Sequence, residues 1–509
     1  MTVALPTATP NAEVVALFAA AQRALVDSAA TSPPDRYLIE GRLTGVGMSG
    51  RFRIVREGSR EREEMQLGPR EQTTLRDGHR WWRVDTLGIP HELRGIGRAR
   101  EVTEGWLESG EIFAHPEWAT CLPRVVGHLD DECLVMPPGG EHERILLDRF
   151  EHRLVEIRYP EGDGLTRILL DDWRMVDGVA FAYHRRIIDA HGEVLDERVD
   201  RIDLQRLTAD LWGQPLTTHA LLLREPEHIA LAQRDGHWLV PVSIGGHTYQ
   251  FVLDTGSQSL VLDRRVAAEV GLFPEGSVGL RAGQWVGGAG WARIPRIEVG
   301  RAVFGDELTV VTDLGTTNDG TARIDGILGF PFVAQSDLRL DPHTASLTLA
   351  APGTLAPLGR RLDTDLDTGV PEVTASLAMG PDGGARFVVD TGSSATVLLN
   401  RAFVAKYPQA VRLGLGRDVT LGIGGSVPAI PARVARLHIV GLPAWESLDG
   451  EVMQVDQGVF ADRHQAGSLG MGLFGDAILT FSAVNHALWV CLPTSSAATP
   501  RGNTPVTCR

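Results

Sequence analysis

Two aspartates, Asp254 and Asp390, lie 136 positions apart in matching surroundings. Each ends an apolar run and opens the tetrapeptide Asp-Thr-Gly-Ser, in FVLDTGSQSLVL (Phe251 to Leu262) and FVVDTGSSATVLL (Phe387 to Leu399). A short apolar run predicts a buried strand, and the small-residue turn after it exposes the carboxylate at the strand end. Two carboxylates brought together can share one proton, because neighbouring like charges cannot both ionise cheaply. Such a pair can activate a water for attack on an amide carbonyl with neither a metal nor a covalent nucleophile.

The elements that must position these aspartates are themselves doubled. HWLVPVSIGGHTYQFVLD (His237 to Asp254) and VPEVTASLAMGPDGGARFVVD (Val370 to Asp390) each predict a strand, a Gly-rich turn and an apolar strand ending in Asp. A short strand and a helical stretch follow each tetrapeptide: DRRVAAEVGL (Asp263 to Leu272) and NRAFVAKYPQAV (Asn400 to Val411). Next come Gly-rich hairpins, AGQWVGGAGWARIP (Ala282 to Pro295) and GIGGSVPAIPA (Gly422 to Ala432). Each unit closes on an apolar-Gly segment, IDGILGFPFV (Ile324 to Val333) or AGSLGMGLF (Ala466 to Phe474). This is one supersecondary plan written twice.

A third Asp-Thr-Gly, Asp367-Thr368-Gly369, follows a polar stretch and precedes Val370-Pro371. It reads as a turn between the two units. A single DTGS is also explained by a turn in which Asp and Gly serve the backbone. The doubled context is not.

On these residues the chain resembles the aspartic peptidases, and the pattern DTGSxSxVLxxxxAxxxGL is most similar to the retropepsin-like bacterial aspartyl proteases. The resemblance covers roughly 230–492. It implies a mainly β fold with two tandem retropepsin/pepsin-like lobes, 230–355 and 356–495, fused as a bilobal aspartic peptidase whose active site needs no homodimer. It implies a catalytic dyad of Asp254 and Asp390, with Thr255 and Thr391 cross-bracing the loops. Gly256 and Gly392 would let backbone approach the carboxylates, and Ser257 and Ser393 would donate hydroxyl hydrogen bonds to the outer carboxylate oxygens. Gly329 and Gly470 would sit behind the loops. A peptide or protein would lie in the inter-lobe cleft, and the hairpin residues Trp285, Gly287, Gly288, Gly424 and Gly425 are candidates to touch it. The lobes differ where Ser468 replaces Ile327.

Residues 1–207 form a different module, with 208–229 as the connection and 496–509 as a tail. An amphipathic helix, AEVVALFAAAQRALVDSA (Ala12 to Ala29), precedes short alternating segments with DG and HG turns. These predict a curved antiparallel sheet beside the helix, an α+β half-barrel. The runs "DGHRWWRVD" and "DDWRMVDGVAF" resemble lipoprotein-carrier-like half-barrels of bacterial envelopes, which implies a lipid or acyl chain as a second partner. A plain β-domain that positions the protease is the alternative reading. GVGMSG (Gly45 to Gly50) matches GxGxxG, but strand-like FRIV follows where a dinucleotide site needs a helix, so it predicts a hairpin turn.

Composition removes several classes. A net charge of −16 argues against nucleic acid and against a basic membrane-binding face. The sixteen histidines show no paired ligand spacing, so neither metal nor other cofactor is expected. No apolar stretch is long enough to span a bilayer. Four cysteines fall in two local pairs, Cys121 with Cys133 and Cys491 with Cys508. That fits two disulfides, although other pairings and free thiols are open. Oxidised cysteines point to a periplasmic or secreted protein, while the opening MTVALPTATPNAEVV shows no signal peptide. Two function classes follow: an aspartic endopeptidase, or an envelope lipid-, lipoprotein- or peptide-binding protein with an ancillary protease-like half.

Overall fold

Period-two alternation dominates the chain, and strands dominate the fold. The computed structural model describes residues 11–27, 34–84, 90–123, 129–161, 164–190, 192–204, 212, 221, 223–282, 285–314, 324–416, 418–422, 425–455, 460, 462, 464–492 and 508. Two compact units form, 1–83 with 92–215 and 84–91 with 216–509.

In the first unit the helix Ala12–Leu25 is capped by Asn11, whose side chain accepts from Glu13 N–H. Val14, Leu17, Phe18, Ala21 and Leu25 line its buried face and join a core with Phe113, Ile145, Leu147 and Ile157. The helix is shorter than the sequence suggests: Val26 is already extended and bridges to Val179. A thirteen-stranded sheet follows, antiparallel in each described pairing, in which the strand Arg36–Gly45 lies between Met48–Glu57 and Val194–Asp203. Val46 and Gly47, with φ of 46° and 77°, make the hairpin turn inside GVGMSG. Cys121 and Cys133 face each other across paired strands and are disulfide-bonded.

The helix Gly95–Glu108 meets this sheet through charged groups. Arg56 Nη1 donates to Gly105 O at 3.2 Å, Arg83 to Glu101 at 2.6 Å and Arg185 to Glu108 at 2.9 Å. Glu61, Glu101, Glu143 and Glu197 are buried. Beneath the helix charged contacts thus lie beside apolar ones, since Leu107 joins the apolar core of this unit.

The second unit contains the duplication. In its first lobe the strands His237–Ile244 and His247–Asp254 form a hairpin around Gly245 and Gly246. The Asp-bearing strand then runs parallel to Gly326–Gly329, and Val261–Asp263 pairs antiparallel on the far side of that segment. The second lobe repeats the order with Glu372–Leu377, Ala385–Asp390, Gln465–Gly470 and Val397–Leu399. Each short strand leads into a helix, Arg264–Glu269 or Arg401–Lys406. A six-stranded sheet unites the lobes, with Asp337–Asp341 of the first pairing with Ile478–Ser482 of the second. Its edge strand Glu227–Ala230 begins within the stretch read as a connection, because its backbone groups pair with Ser346–Ala350. The Cys491–Cys508 disulfide ties the tail to the last strand of this sheet. Phe251, Leu253, Phe387 and Val389, on the two Asp-bearing strands, are fully buried in one shared core.

Candidate active site

Three consecutive buried residues precede each aspartate, which emerges half-buried at the strand end. Phe251 and Leu253 anchor Asp254, as Phe387 and Val389 anchor Asp390. The neighbouring parallel strand ends level with each aspartate, with Gly329 opposite Asp254 and Gly470 opposite Asp390. The turns carry on into the two threonines. Thr255 N–H donates to Thr391 Oγ1 and Thr391 N–H to Thr255 Oγ1, both at 3.0 Å. Each hydroxyl then donates to the strand of the other lobe, Thr255 to Val389 O and Thr391 to Leu253 O. Both threonines are fully buried. Four buried hydrogen bonds therefore set the distance between the loops.

This bracing leaves no room for a side chain at the glycines. A Cβ on Gly256 would stand 2.6 Å from Asp390 Cγ, and one on Gly392 would stand 2.4 Å from Asp254 Cγ. Each glycine N–H donates to the first carboxyl oxygen of its own loop, Gly256 to Asp254 and Gly392 to Asp390, both at 2.9 Å. Each carboxyl is thus held by its own loop and crossed by the backbone of the other.

The two carboxyls are close enough for each to shift the titration of the other. Both sit deep in protein while keeping some solvent access. Burial pushes Asp254 above the usual carboxylate range, against the stabilising effects of the neighbouring Asp390, the Gly256 N–H, the charge of His237 and the Ser257 N–H. Burial raises Asp390 much further, because the neighbouring Asp254 acts in the same direction, chiefly through its charge, opposed only by the Gly392 and Ser393 N–H groups. Both carboxyls are pushed towards the protonated form, and the titration belongs to the pair, which can share one proton.

Ser257 and Ser393 act differently from the sequence expectation. Their backbone N–H groups donate to the main-chain carbonyls of Asp254 and Asp390 at 3.2 and 3.4 Å, while the Ser257 hydroxyl donates to Ser259 O at 3.0 Å and Ser393 Oγ accepts from Ala395 N. The tight turn aims backbone donors at the aspartates and leaves the hydroxyls to close the loop. Gly329 and Gly470 lie behind the loops as expected: Phe330 N–H bonds Ser257 O at 2.9 Å, and Met471 N–H bonds Ser393 O at 2.8 Å. Ile327 and Ser468 occupy equivalent positions opposite Val252 and Val388.

The hairpin candidates are only partly described. Gly287 and Gly288 pair with Leu280 and Gly279, and Gly288 O accepts from Arg264 at 2.8 Å within the same lobe. Gly425 opens the strand Gly425–Ile439 opposite Gly422. The Trp285 side chain and Gly424 lie outside the described residues.

The third Asp-Thr-Gly is a turn, and it touches the site. Gln258, next after the first DTGS, donates from Nε2 to Thr368 O at 2.8 Å. On the other side a Cβ at Gly236 would stand 2.9 Å from Cβ of Ser394, next after the second DTGS. Register makes these turns equivalent, since Val240 faces Phe251 as Val373 faces Phe387, and Gly236 and Gly369 precede those valines by four residues. Each lobe therefore sets a turn against the catalytic-type loop of the other. This equivalence rests on strand register, which the sequence alone leaves open.

Among the described residues no group of three or more His, Cys, Asp or Glu side chains could hold a metal ion. No helix among them is long and apolar enough to cross a membrane. A family model described as aspartyl protease matches residues 240–332, from the strand before the first DTGS through the Gly326–Gly329 segment. No curated protein matches the chain. Among solved structures, a putative outer membrane lipoprotein-sorting protein domain from Vibrio parahaemolyticus is similar at 9% identity, covering 34% of this chain and 87% of its own, with a TM-score of 0.25. A LolA superfamily protein from Nitrosomonas europaea is similar at 12% identity, covering 40% of this chain and 98% of its own, with a TM-score of 0.29.

Proposed function

We propose that the chain is an aspartic endopeptidase that hydrolyses peptide bonds with a water activated by Asp254 and Asp390. One observation carries the reading: two repeated loops, braced by reciprocal threonine bonds, bring two buried carboxyls together, each crossed by the glycine of the other loop. A fold that only binds peptides has no need to bear the cost of burying that pair. The ionised carboxylate takes a proton from water as it attacks the scissile carbonyl. The protonated carboxyl hydrogen-bonds the developing oxyanion, and the leaving nitrogen receives a proton as the bond breaks. An extended substrate would lie between the lobes, its backbone paired with the Gly-rich hairpins.

Both halves of the pair come from one chain, so cleavage proceeds without a homodimer. The two disulfides suit a periplasmic or secreted setting. The lipid-carrier alternative draws no support from the charged contacts beneath the helix Gly95–Glu108. The deciding experiment is a peptide-library digest read by mass spectrometry from about pH 3 to 8, a range that brackets shared-proton carboxylates. Cleavage should be blocked by a statine-type inhibitor and abolished in Asp254→Asn and Asp390→Asn. An intact wild-type chain that cuts nothing across that range overturns the proposal.

A further inference from the structure

The two carboxyls have different neighbours at one equivalent position. In the first lobe the ladder pairs Leu239 with Val252 and Val240 with Phe251; carried two residues further, it sets His237 opposite Asp254. In the second lobe Glu372 faces Val388 and Pro371 O accepts from Val389 N–H, so the same continuation sets Val370 opposite Asp390. Directly opposed residues of an antiparallel pair project from the same face. Register thus places His237 at the position beside one carboxyl, where its charge acts on Asp254, and Val370 at the matching position beside the other.

The position of His237 is held from both sides. It ends the turn Asp235-Gly236, which is seated against Ser394 of the second lobe's loop. Its Nδ1 is buried with no hydrogen-bond partner among the described residues. Val370 is 3% exposed and belongs to the shared core. The charged groups on the elements around His237 are Asp254 on the adjacent strand, Arg234 on the strand behind and Asp235 in the turn, with Asp390 across the pair. Arg234 and Asp235 are exposed, where solvent screens them.

We infer that His237 is the positioning residue that makes the pair unequal, holding Asp254 as the ionised partner and leaving the proton on Asp390. The inference rests on the peptidase reading and adds to it a direction: Asp254 accepts the proton of the attacking water, and Asp390 binds the oxyanion. A cation beside a carboxylate favours its ionised form, and an imidazolium supplies that cation.

The test is the pH profile of kcat/KM for peptide cleavage by the full chain. His237→Val installs the second lobe's residue, and His237→Gln keeps a polar side chain without charge. Both should move the acidic limb upward by roughly 0.5–1 pH unit, since the carboxylate loses a cation. Arg234→Gln, on the exposed neighbouring strand, should leave the limb in place. A limb unmoved in both His237 variants of an active enzyme overturns this inference alone, as does an equal shift in Arg234→Gln. A wild-type chain without cleavage overturns the functional reading and this inference with it.

Discussion

Thr255 and Thr391 exchange backbone-to-hydroxyl hydrogen bonds at 3.0 Å in both directions, in a core that excludes solvent from both side chains. Each hydroxyl also donates to a strand carbonyl of the opposite lobe, so each is fully used. Replacing one by valine keeps the shape but leaves a buried N–H and a buried carbonyl unpaired. Thr255→Val or Thr391→Val should cost about 2–4 kcal/mol, from two unsatisfied groups at about 1–3 kcal/mol each with partial relaxation. Serine at either site keeps the hydroxyl and should recover most of that loss. Urea unfolding of the three forms measures this, and a valine variant as stable as wild type would show that the brace contributes little.

Gly256 and Gly392 make a second, independent prediction. A methyl group at either would fall well inside contact distance of the opposite lobe's carboxyl. The loops cannot yield easily, because the threonine brace is one residue away. Gly256→Ala and Gly392→Ala should therefore separate the carboxyls and reduce peptide cleavage by at least roughly a hundredfold, the scale expected for an ångström of misplacement. Circular dichroism should stay close to wild type. Full activity in either variant would mean that the carboxyls work at a greater separation than the structure shows.

Most of this site was legible because the features that build it are local. Short continuous apolar runs place Asp254 and Asp390 at strand ends, and the repeated small-residue turns mark the loops. What escaped depends on register. The first hairpin turns through Gly245-Gly246, whereas the second has a longer connection from Ala378 to Gly384. Equal spacing before the two aspartates therefore does not name equivalent residues, and His237 against Val370 stayed hidden. The Ser257 hydroxyl escaped for another reason: which donor meets a carboxylate is decided by turn dihedrals. In the first unit Glu101, Glu104 and Glu108 share one helical stretch, and their spacing gave no sign that the sheet would supply Arg83 and Arg185 beneath them.

Asp390 links activity to stability with a definite sign. Its carboxyl titrates well above 3.8 in the folded chain, through burial first and the charge of Asp254 second. The folded state thus favours the protonated form, and the advantage present at low pH is lost as pH rises towards the folded titration. Asparagine mimics the protonated form. Asp390→Asn should abolish cleavage yet melt higher than wild type at neutral pH, with the difference closing below about pH 4. Thermal melts from pH 3 to 8 test it; a variant less stable than wild type at pH 7 would contradict the direction.

The first unit carries the same sign in a place remote from the dyad. Glu143 is wholly buried at the start of the strand Glu143–Asp148, and neither carboxyl oxygen has a hydrogen-bond partner among the described residues. Burial pushes it up to about 8; Arg100 opposes this, while Glu141, Glu108 and Glu101 add to it. Glu108 is raised to about 8 and Glu61 to about 7, again by burial foremost. All three start from 4.5, so this unit favours protonated carboxyls and should lose stability as pH climbs from about 4.5 to about 8, with the loss complete once the folded carboxyls have ionised. Hydrogen exchange read on peptides from 95–108 and 143–148, corrected for intrinsic rates, should show protection falling between about pH 5 and 8 and levelling off above that. Glu143→Gln, which cannot ionise, should flatten that fall while leaving peptides of the second unit unchanged. Protection independent of pH in the wild type would mean that the neighbouring guanidiniums already hold these carboxylates ionised.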